Sequence, residues 1–197
     1  MVLKLRGGTR PRLNSSSDVC FPSLKILKLQ FIVFNSIAND HSEYDLANFL
    51  SHCPHLEELV LHDSMKQEIN IVSFPSLKRV FICLFMPVTG SNVCPVKINA
   101  PSLEVLHIVD ASFSPRKYEF TNLSNLHRAT LRISKHVDFN SLYSLLRGIS
   151  NVKSLTISSE IIHVSFKIFF ISFFNDKFHI YLLICNTFFY AVSKHGG

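Results

Sequence analysis

Apolar residues recur along most of the chain in one spacing, apolar-x-x-apolar-x-apolar. Leu24, Leu27 and Leu29 set it first, and Leu56, Leu59 and Leu61 repeat it. Leu77, Val80 and Ile82 follow, then Leu103, Leu106 and Ile108, then the looser Leu126, Ala129 and Leu131, then Val152, Leu155 and Ile157. The step from Leu24 to Leu56 is long, and the later copies follow one another at shorter, similar steps. Within a copy the last two apolar residues alternate with neighbours such as Glu58, Val60 and His62. That is the period of a strand. The pattern therefore predicts one short strand per copy.

Proline supplies an independent check. Pro22, Pro54, Pro75 and Pro101 each stand two positions before the first apolar residue of a copy, and Ser124 and Ser150 fill that slot in the last two. With proline at about 5% of residues, four such hits in six slots have a chance of about 10⁻⁴. Proline fixes its own φ and pushes the residue before it away from helix, so it ends one segment and launches the next. A strand repeated every roughly 20–29 residues is the signature of a leucine-rich repeat, whose single unit cannot bury its leucines but whose stack can. All steps but the first fall within that range.

The connections differ among themselves. Residues 42–52 read as a helix, capped by Ser42 or Asp45, with Leu46, Phe49 and Leu50 on one face. This helix accounts for the long first step. A second helix is predicted at 140–147, with Phe139, Leu142, Leu145 and Leu146 as its stripe and Gly148 placed to end it. The three connections between them have little helical periodicity and are expected to be extended or 3₁₀ segments on the convex side. Upstream, Val2-Leu3-Lys4-Leu5 reads as the end of an earlier repeat strand, because Leu3 precedes Leu27 by one repeat length. On that reading the chain begins in the middle of a repeat, and Gly7 to Asp18 forms a breaker-rich loop.

After position 161 or so the register is lost. Eight of the phenylalanines crowd between Phe166 and Phe189. Three readings stay open for this tail: a membrane span, a terminal strand or helix that caps the last repeat, or translated AT-rich sequence such as a retained intron. The longest charge-free run, Phe178 to Ser193, falls short of the about 20 residues that a span needs. The expected organisation is a loop or partial repeat at 1–20, a leucine-rich-repeat domain at 21–160 and a Phe-rich tail at 161–197.

Composition changes the picture in two places. The net charge is +6, from 20 Lys and Arg against 14 Asp and Glu, and Lys4, Arg6, Arg10 and Arg12 supply four of the cations. From Leu13 onward the balance is 16 against 14, or +2. The basicity is thus expected to belong to a solvated terminal segment, and nucleic acid is not an expected partner. Five cysteines without a C-x-x-C motif support neither a disulfide scaffold nor a zinc finger. The N-terminus has no apolar signal-like run. A cytoplasmic or nuclear location is expected, and a membrane is not.

No catalytic residue, metal ligand or cofactor site stands out, and the chain is not expected to be an enzyme. His52-Cys53-x-His55 has metal-binding residue types, but Cys53-Pro54 ends a helix and opens a strand inside the repeat register, so a structural role is expected. Glu57 and Glu58 point to opposite faces of a strand and form no acid–base pair. H-E-x-x-H, P-loop, G-x-S-x-G and G-x-G-x-x-G motifs do not occur.

A binding face is better supported. The residues between the core leucines face outward on the concave side in three columns. The first holds Ile26, Glu58, Arg79, Val105, Arg128 and Ser154. The second holds Lys28, Val60, Phe81, His107, Thr130 and Thr156. The third holds Gln30, His62, Cys83, Val109, Arg132 and Ser158. Val60, Phe81, Val105 and Val109 make an apolar centre, with His107 among them and Lys28, Arg79, Arg128 and Arg132 around it. Such a centre with an arginine-bearing rim is the anatomy of a protein-binding patch. The plain alternative is an ordinary strand surface covered by neighbouring chain.

Phe21-Pro22-Ser23-Leu24-Lys25, Cys53-Pro54-His55-Leu56-Glu57-Glu58-Leu59 and Ile98-Asn99-Ala100-Pro101-Ser102-Leu103-Glu104-Val105-Leu106 resemble the repeats of plant F-box/leucine-rich-repeat proteins, including the FBD-containing, RNI-like group. The resemblance covers the repeats at 20–160. It implies an α/β horseshoe solenoid of about six irregular repeats that holds a protein target for an SCF-type ubiquitin ligase. It implies a Skp-type adaptor as partner only where an F-box lies upstream. The segment ahead of the repeats here is far shorter than an F-box. Neither an F-box nor an FBD segment is recognised, and a truncated gene product without independent function is the alternative. A membrane-anchored repeat protein that uses the Phe-rich tail is the other.

Overall fold

Each copy of the pattern opens on the same turn. In this computed structural model, Leu24 N–H donates to Phe21 O, Leu56 to Cys53, Leu77 to Phe74, Leu103 to Ala100, Leu126 to Leu123 and Val152 to Ile149, at 3.0–3.2 Å. These are tight turns closed between positions i and i+3, and the proline or serine is their second residue. Proline favours that position because its ring presets the φ that the turn requires. The first apolar residue closes each turn with its own N–H and is buried in every copy.

The structure describes residues 1–7, 20–32, 46–63, 69–72, 74–85, 95–112, 116–133, 145–158 and 179–183. The elements, in chain order, are strands β1 (Val2–Arg6) and β2 (Ile26–Gln30), helix α1 (Leu46–Ser51), and strands β3 (Glu58–His62), β4 (Ile69–Val72), β5 (Arg79–Leu84), β6 (Val96–Asn99), β7 (Val105–Asp110), β8 (Tyr118–Thr121), β9 (Arg128–Ile133), β10 (Ser154–Ser158) and β11 (His179–Leu183). The turns launch β2, β3, β5, β7, β9 and β10. At one edge β1 joins β2, and at the other β11 joins β10. The result is an eight-stranded parallel sheet in the order β1-β2-β3-β5-β7-β9-β10-β11. Leu3 pairs in register with Leu27, as its spacing predicts. Within the tail, His179–Leu183 form β11, although the Phe-rich stretch shows no repeat spacing. Among the described residues no helix is long and apolar enough to cross a membrane.

The backs of the repeats are built mostly from strands. β4, β6 and β8 pair in parallel as a second sheet. The sequence predicts extended connections here but not their ladder. Helix α1 lies within the predicted 42–52 helix, whose first residues fall outside the described ones. Residues 145–148 are helical, and 140–144 are likewise outside. The chain is thus a leucine-rich-repeat solenoid dominated by strands.

Register makes the core continuous. Leu27, Leu59, Val80, Leu106, Ala129 and Leu155 stand side by side across the large sheet, and Leu29, Leu61, Ile82, Ile108, Leu131 and Ile157 form the next row. All twelve are at most 1% exposed. Ile69, Ile71, Val96, Ile98, Tyr118 and Phe120 are buried in the second sheet. Burying a side chain of this size contributes about 1.5–3 kcal/mol, so the stack of rows supplies what no single repeat can.

One part of the core is polar. Asp110 ends β7 in the row where its neighbours are Leu84 and Ile133. Its Oδ2 accepts the Tyr118 hydroxyl at 2.6 Å and lies 3.1 Å from Arg116 Nε. Its Oδ1 accepts both the Ser112 N–H at 3.0 Å and the Ser112 hydroxyl at 2.5 Å. Asp110, Ser112 and Arg116 are all at most 3% exposed. Burial, and then the Asp110 charge, push the Tyr118 phenol well above its ordinary range, so it stays a donor. Through Asp110 in β7 and Tyr118 in β8 this network ties the large sheet to the second one.

Gly148 does not end its helix through a left-handed φ. It is required by close approach: a Cβ there would stand 2.6 Å from Phe120 Cβ and 2.7 Å from Phe120 O. Gly148→Ala is therefore expected to destabilise the protein by about 1–3 kcal/mol through overpacking, although alanine is the better helix former by about 1 kcal/mol. Urea unfolding that showed a gain instead would remove this account of the glycine.

The two serine-bearing turns respond oppositely to proline. Ser124 N–H has no backbone acceptor among the described residues, and its hydroxyl only reaches Pro101 O at a long 3.5 Å, whereas Ser150 N–H donates to Arg147 O at 3.3 Å. Ser124→Pro is expected to stabilise by about 0.4–1 kcal/mol, and Ser150→Pro to destabilise because it removes that bond. Melting temperatures of the two variants should move in opposite directions.

Candidate functional site

Parallel pairing without slippage turns the outward positions of the large sheet into straight rows. Ile26, Glu58, Arg79, Val105, Arg128 and Ser154 are neighbours in one row, and Lys28, Val60, Phe81, His107, Thr130 and Thr156 in the next. Gln30, His62, Cys83, Val109 and Arg132 form the third. Neighbours within a row are about 4.8 Å apart, and rows about 6.6 Å apart. Arg128 and Arg132 are exposed, and Lys28, Val60, Arg79, Phe81, Val105 and His107 are half-buried. None is sealed from solvent.

Strand β1 extends these rows. Its register places Val2 beside Ile26, Lys4 beside Lys28 and Arg6 beside Gln30. Lys4 and Arg6 are therefore not a loose terminal cluster, as the sequence suggests, but exposed members of the same face. Arg10 and Arg12 lie outside the described residues.

Glu58 sits inside the cationic rim. Its Oε2 accepts Arg79 Nε at 2.9 Å, and its Oε1 lies 3.7 Å from Lys28 Nζ. The three charges hold one another across three strands. At the start of the same repeat Lys25 pairs with Glu57 at 3.0 Å. The Lys25 hydrogen bond, and then its charge, hold the Glu57 carboxyl below its usual range.

The apolar centre is ordered by ring contacts. The Phe81 and His107 rings stack at 6.0 Å with a 37° tilt. Burial, and then the Arg132 charge, lower the His107 pKa from its ordinary 6.5. A second aromatic group occupies the rim beyond the C-terminal ends of the strands. His62 lies 5.6 Å from Phe31 on one side and 5.6 Å from Phe85 on the other. Phe31 and Asp63 follow their strands with φ of 55° and 46°, and Asp63 Oδ1 accepts the Phe85 N–H at 2.6 Å. Column counting from the leucines stops at the strand ends and so misses Phe31, Asp63 and Phe85. The signal that remains is their position just past a strand.

Burial favours the protonated thiol at both Cys53 and Cys83. Burial, and then Cys20, push the Cys53 thiol up to about 11; its Sγ points at Phe49 O, 3.7 Å away. It sits between the end of α1 and the turn into β3, as the motif around Pro54 suggests. Burial and the Asp63 charge likewise raise Cys83.

Residues 2–157 match the family described as FBD-associated F-box protein At5g56370, LRR repeats. The chain belongs to that family. Several similar proteins are from Arabidopsis thaliana. FBD-associated F-box protein At4g10400 is 33% identical over 82% of this chain and 36% of its own length. F-box protein At4g09920 is 31% identical over 81% of this chain and 47% of its own. F-box/LRR-repeat protein At1g06630 is 30% identical over 83% and 38%. The chain thus spans between a third and a half of the length of these relatives. No solved structure matches it.

In this F-box-family repeat domain His107 gives a pH test of the face. The folded state binds its proton less readily than the unfolded chain, so the stabilisation is present above 6.5 and is lost as pH falls through the lowered folded value. Arg132→Gln removes one of the two causes. The His107 imidazole midpoint, followed by NMR, should rise toward the ordinary value. An unmoved midpoint would show that Arg132 does not act on this ring.

Proposed function

We propose that the chain is the target-holding part of an F-box substrate receptor of an SCF-type ubiquitin ligase. It binds a protein rather than catalysing a reaction, and it works in the cytoplasm or nucleus. The large sheet is read as the concave wall of an α/β horseshoe of about six irregular repeats. The observation that carries the reading is the unbroken register of its outward rows, which gathers Val60, Phe81, Val105 and His107 into one half-buried centre with Lys28, Arg79, Arg128 and Arg132 beside it. Family membership supports the ligase context, because the relatives' names carry an F-box together with the repeats. A Skp-type adaptor is a partner of the whole receptor, through its F-box, and not of this face.

A photo-crosslinking residue tests the face directly. Placed at Phe81 it should form discrete adducts with a plant protein in extract. Placed at the exposed Glu119 of the second sheet it should not. Equal labelling from both positions, or none from Phe81, would sink the assignment of the open face. A fusion of the chain behind an F-box should carry the Phe81-crosslinked protein onto an immobilised Skp-type adaptor, and failure there would sink the ligase context alone.

A further inference from the structure

The open face is electrostatically one-sided. Lys4, Arg6, Lys28, Arg79, Arg128 and Arg132 project from its rows between β1 and β10, and Glu58 is the one carboxylate among them. Glu58 is already engaged by Lys28 and Arg79. Lys4, Arg6, Arg128 and Arg132 have no carboxylate partner among the described residues. Positive charge so arranged on a sheet whose middle is apolar asks for a ligand with both negative charge and apolar side chains.

We propose that this face takes an extended acidic segment of a protein, with carboxylates on Arg128 and Arg132 and an apolar side chain between them on Val105, His107 and Val109. The proposal rests on the protein-binding reading above and adds the chemistry of the partner. Spacing supports it. Arg128 and Arg132 occupy positions i and i+4 of β9, about 13 Å apart at strand rise, and an extended ligand repeats that distance between its own positions i and i+4. The fitting motif is acid-x-apolar-x-acid. Arginine pairs with carboxylates through two parallel hydrogen bonds, and both arginines are exposed beside half-buried β7 positions. Arg79 flanks the same patch from the other side of Val105. A nucleic acid is favoured less. The His107 ring is half-buried and already packed on Phe81, which limits the flat surface open to a base, and the cations surround a patch instead of forming an unbroken track.

The test uses the full chain and a fluorescein-labelled peptide, Glu-Ser-Leu-Ser-Glu repeated twice, followed by anisotropy. Binding is expected, and Arg128→Glu with Arg132→Glu should weaken it about tenfold or more. Lys117→Glu, exposed before β8 on the second layer, should leave it unchanged. Replacing both leucines of the peptide by serine should weaken it, and replacing its glutamates by lysines should abolish it. Circular dichroism of the double variant, and the milder pair Arg128→Gln with Arg132→Gln, separate lost binding from lost fold. No binding up to about 1 mM, equal affinity for the double variant, or tighter binding of a dT oligonucleotide that the same variants weaken would each overturn the proposal. Crosslinking from Phe81 alongside a failed peptide titration would leave the protein-binding face standing and remove only its acidic partner.

Discussion

The repeat depends on one backbone joint. At the start of β3, β5, β7, β9 and β10 a single carbonyl of one repeat accepts two N–H groups of the next. Lys25 O takes Glu57 and Glu58, Glu57 O takes Lys78 and Arg79, Lys78 O takes Glu104 and Val105, Glu104 O takes His127 and Arg128, and His127 O takes Lys153 and Ser154. These bonds run 2.8–3.2 Å. The proline turn lies immediately before the joint and fixes the direction from which the donors arrive. Together they pin the register, and a slip by a single position would turn every core leucine to solvent. The rows of buried leucines and the rows on the open face are two consequences of this one alignment.

The second layer is less uniform than the first. Among the described residues three connections carry short strands that pair with one another, while α1 and residues 145–148 are helical. The Asp110 network joins the end of β7 to the start of β8, beside this irregular layer. Buried ion pairs contribute little net stability against an apolar replacement, but breaking one partner leaves a charge uncompensated and is costly. The network therefore acts as a constraint on geometry: Ser112, Arg116 and Tyr118 are held where all three reach the Asp110 carboxylate.

Much of the large sheet was legible because its cause is local and periodic. Leucine spacing marked the strands, proline marked the turns, and the pairing of Leu3 with Leu27 followed from their offset of one repeat. The outward columns that contain Lys28, Val60, Phe81 and Arg79 followed from alternation alone. What escaped had causes without a period. The β4-β6-β8 ladder is set by how connections of unequal length stack, and no spacing within one connection reports it. Asp110 stands in an apolar row, yet a lone polar residue there says nothing of Tyr118 and Arg116 until the layers meet. Gly148 looked like a helix terminator and is a point of close approach to Phe120. Lys4 and Arg6 read as a basic tail because charge counting ignores strand pairing.

That pairing changes how the face must be understood. In a solenoid the core rows carry stability, so the outward rows are free to differ from repeat to repeat. Here the differences are graded. On the β2–β5 side Glu58 holds Lys28 and Arg79 and lowers the local positive field. On the β7–β9 side no carboxylate among the described rows of the face opposes Arg128 and Arg132, and Arg132 helps to keep His107 neutral. A charged partner gains little by displacing an internal ion pair, since it must replace contacts already made. It gains more where a guanidinium is unengaged and an apolar surface lies beside it. On the proposed reading the face has a direction: its ordered side positions the aromatic centre around Phe81, and its unneutralised side would supply the attraction for an acidic partner.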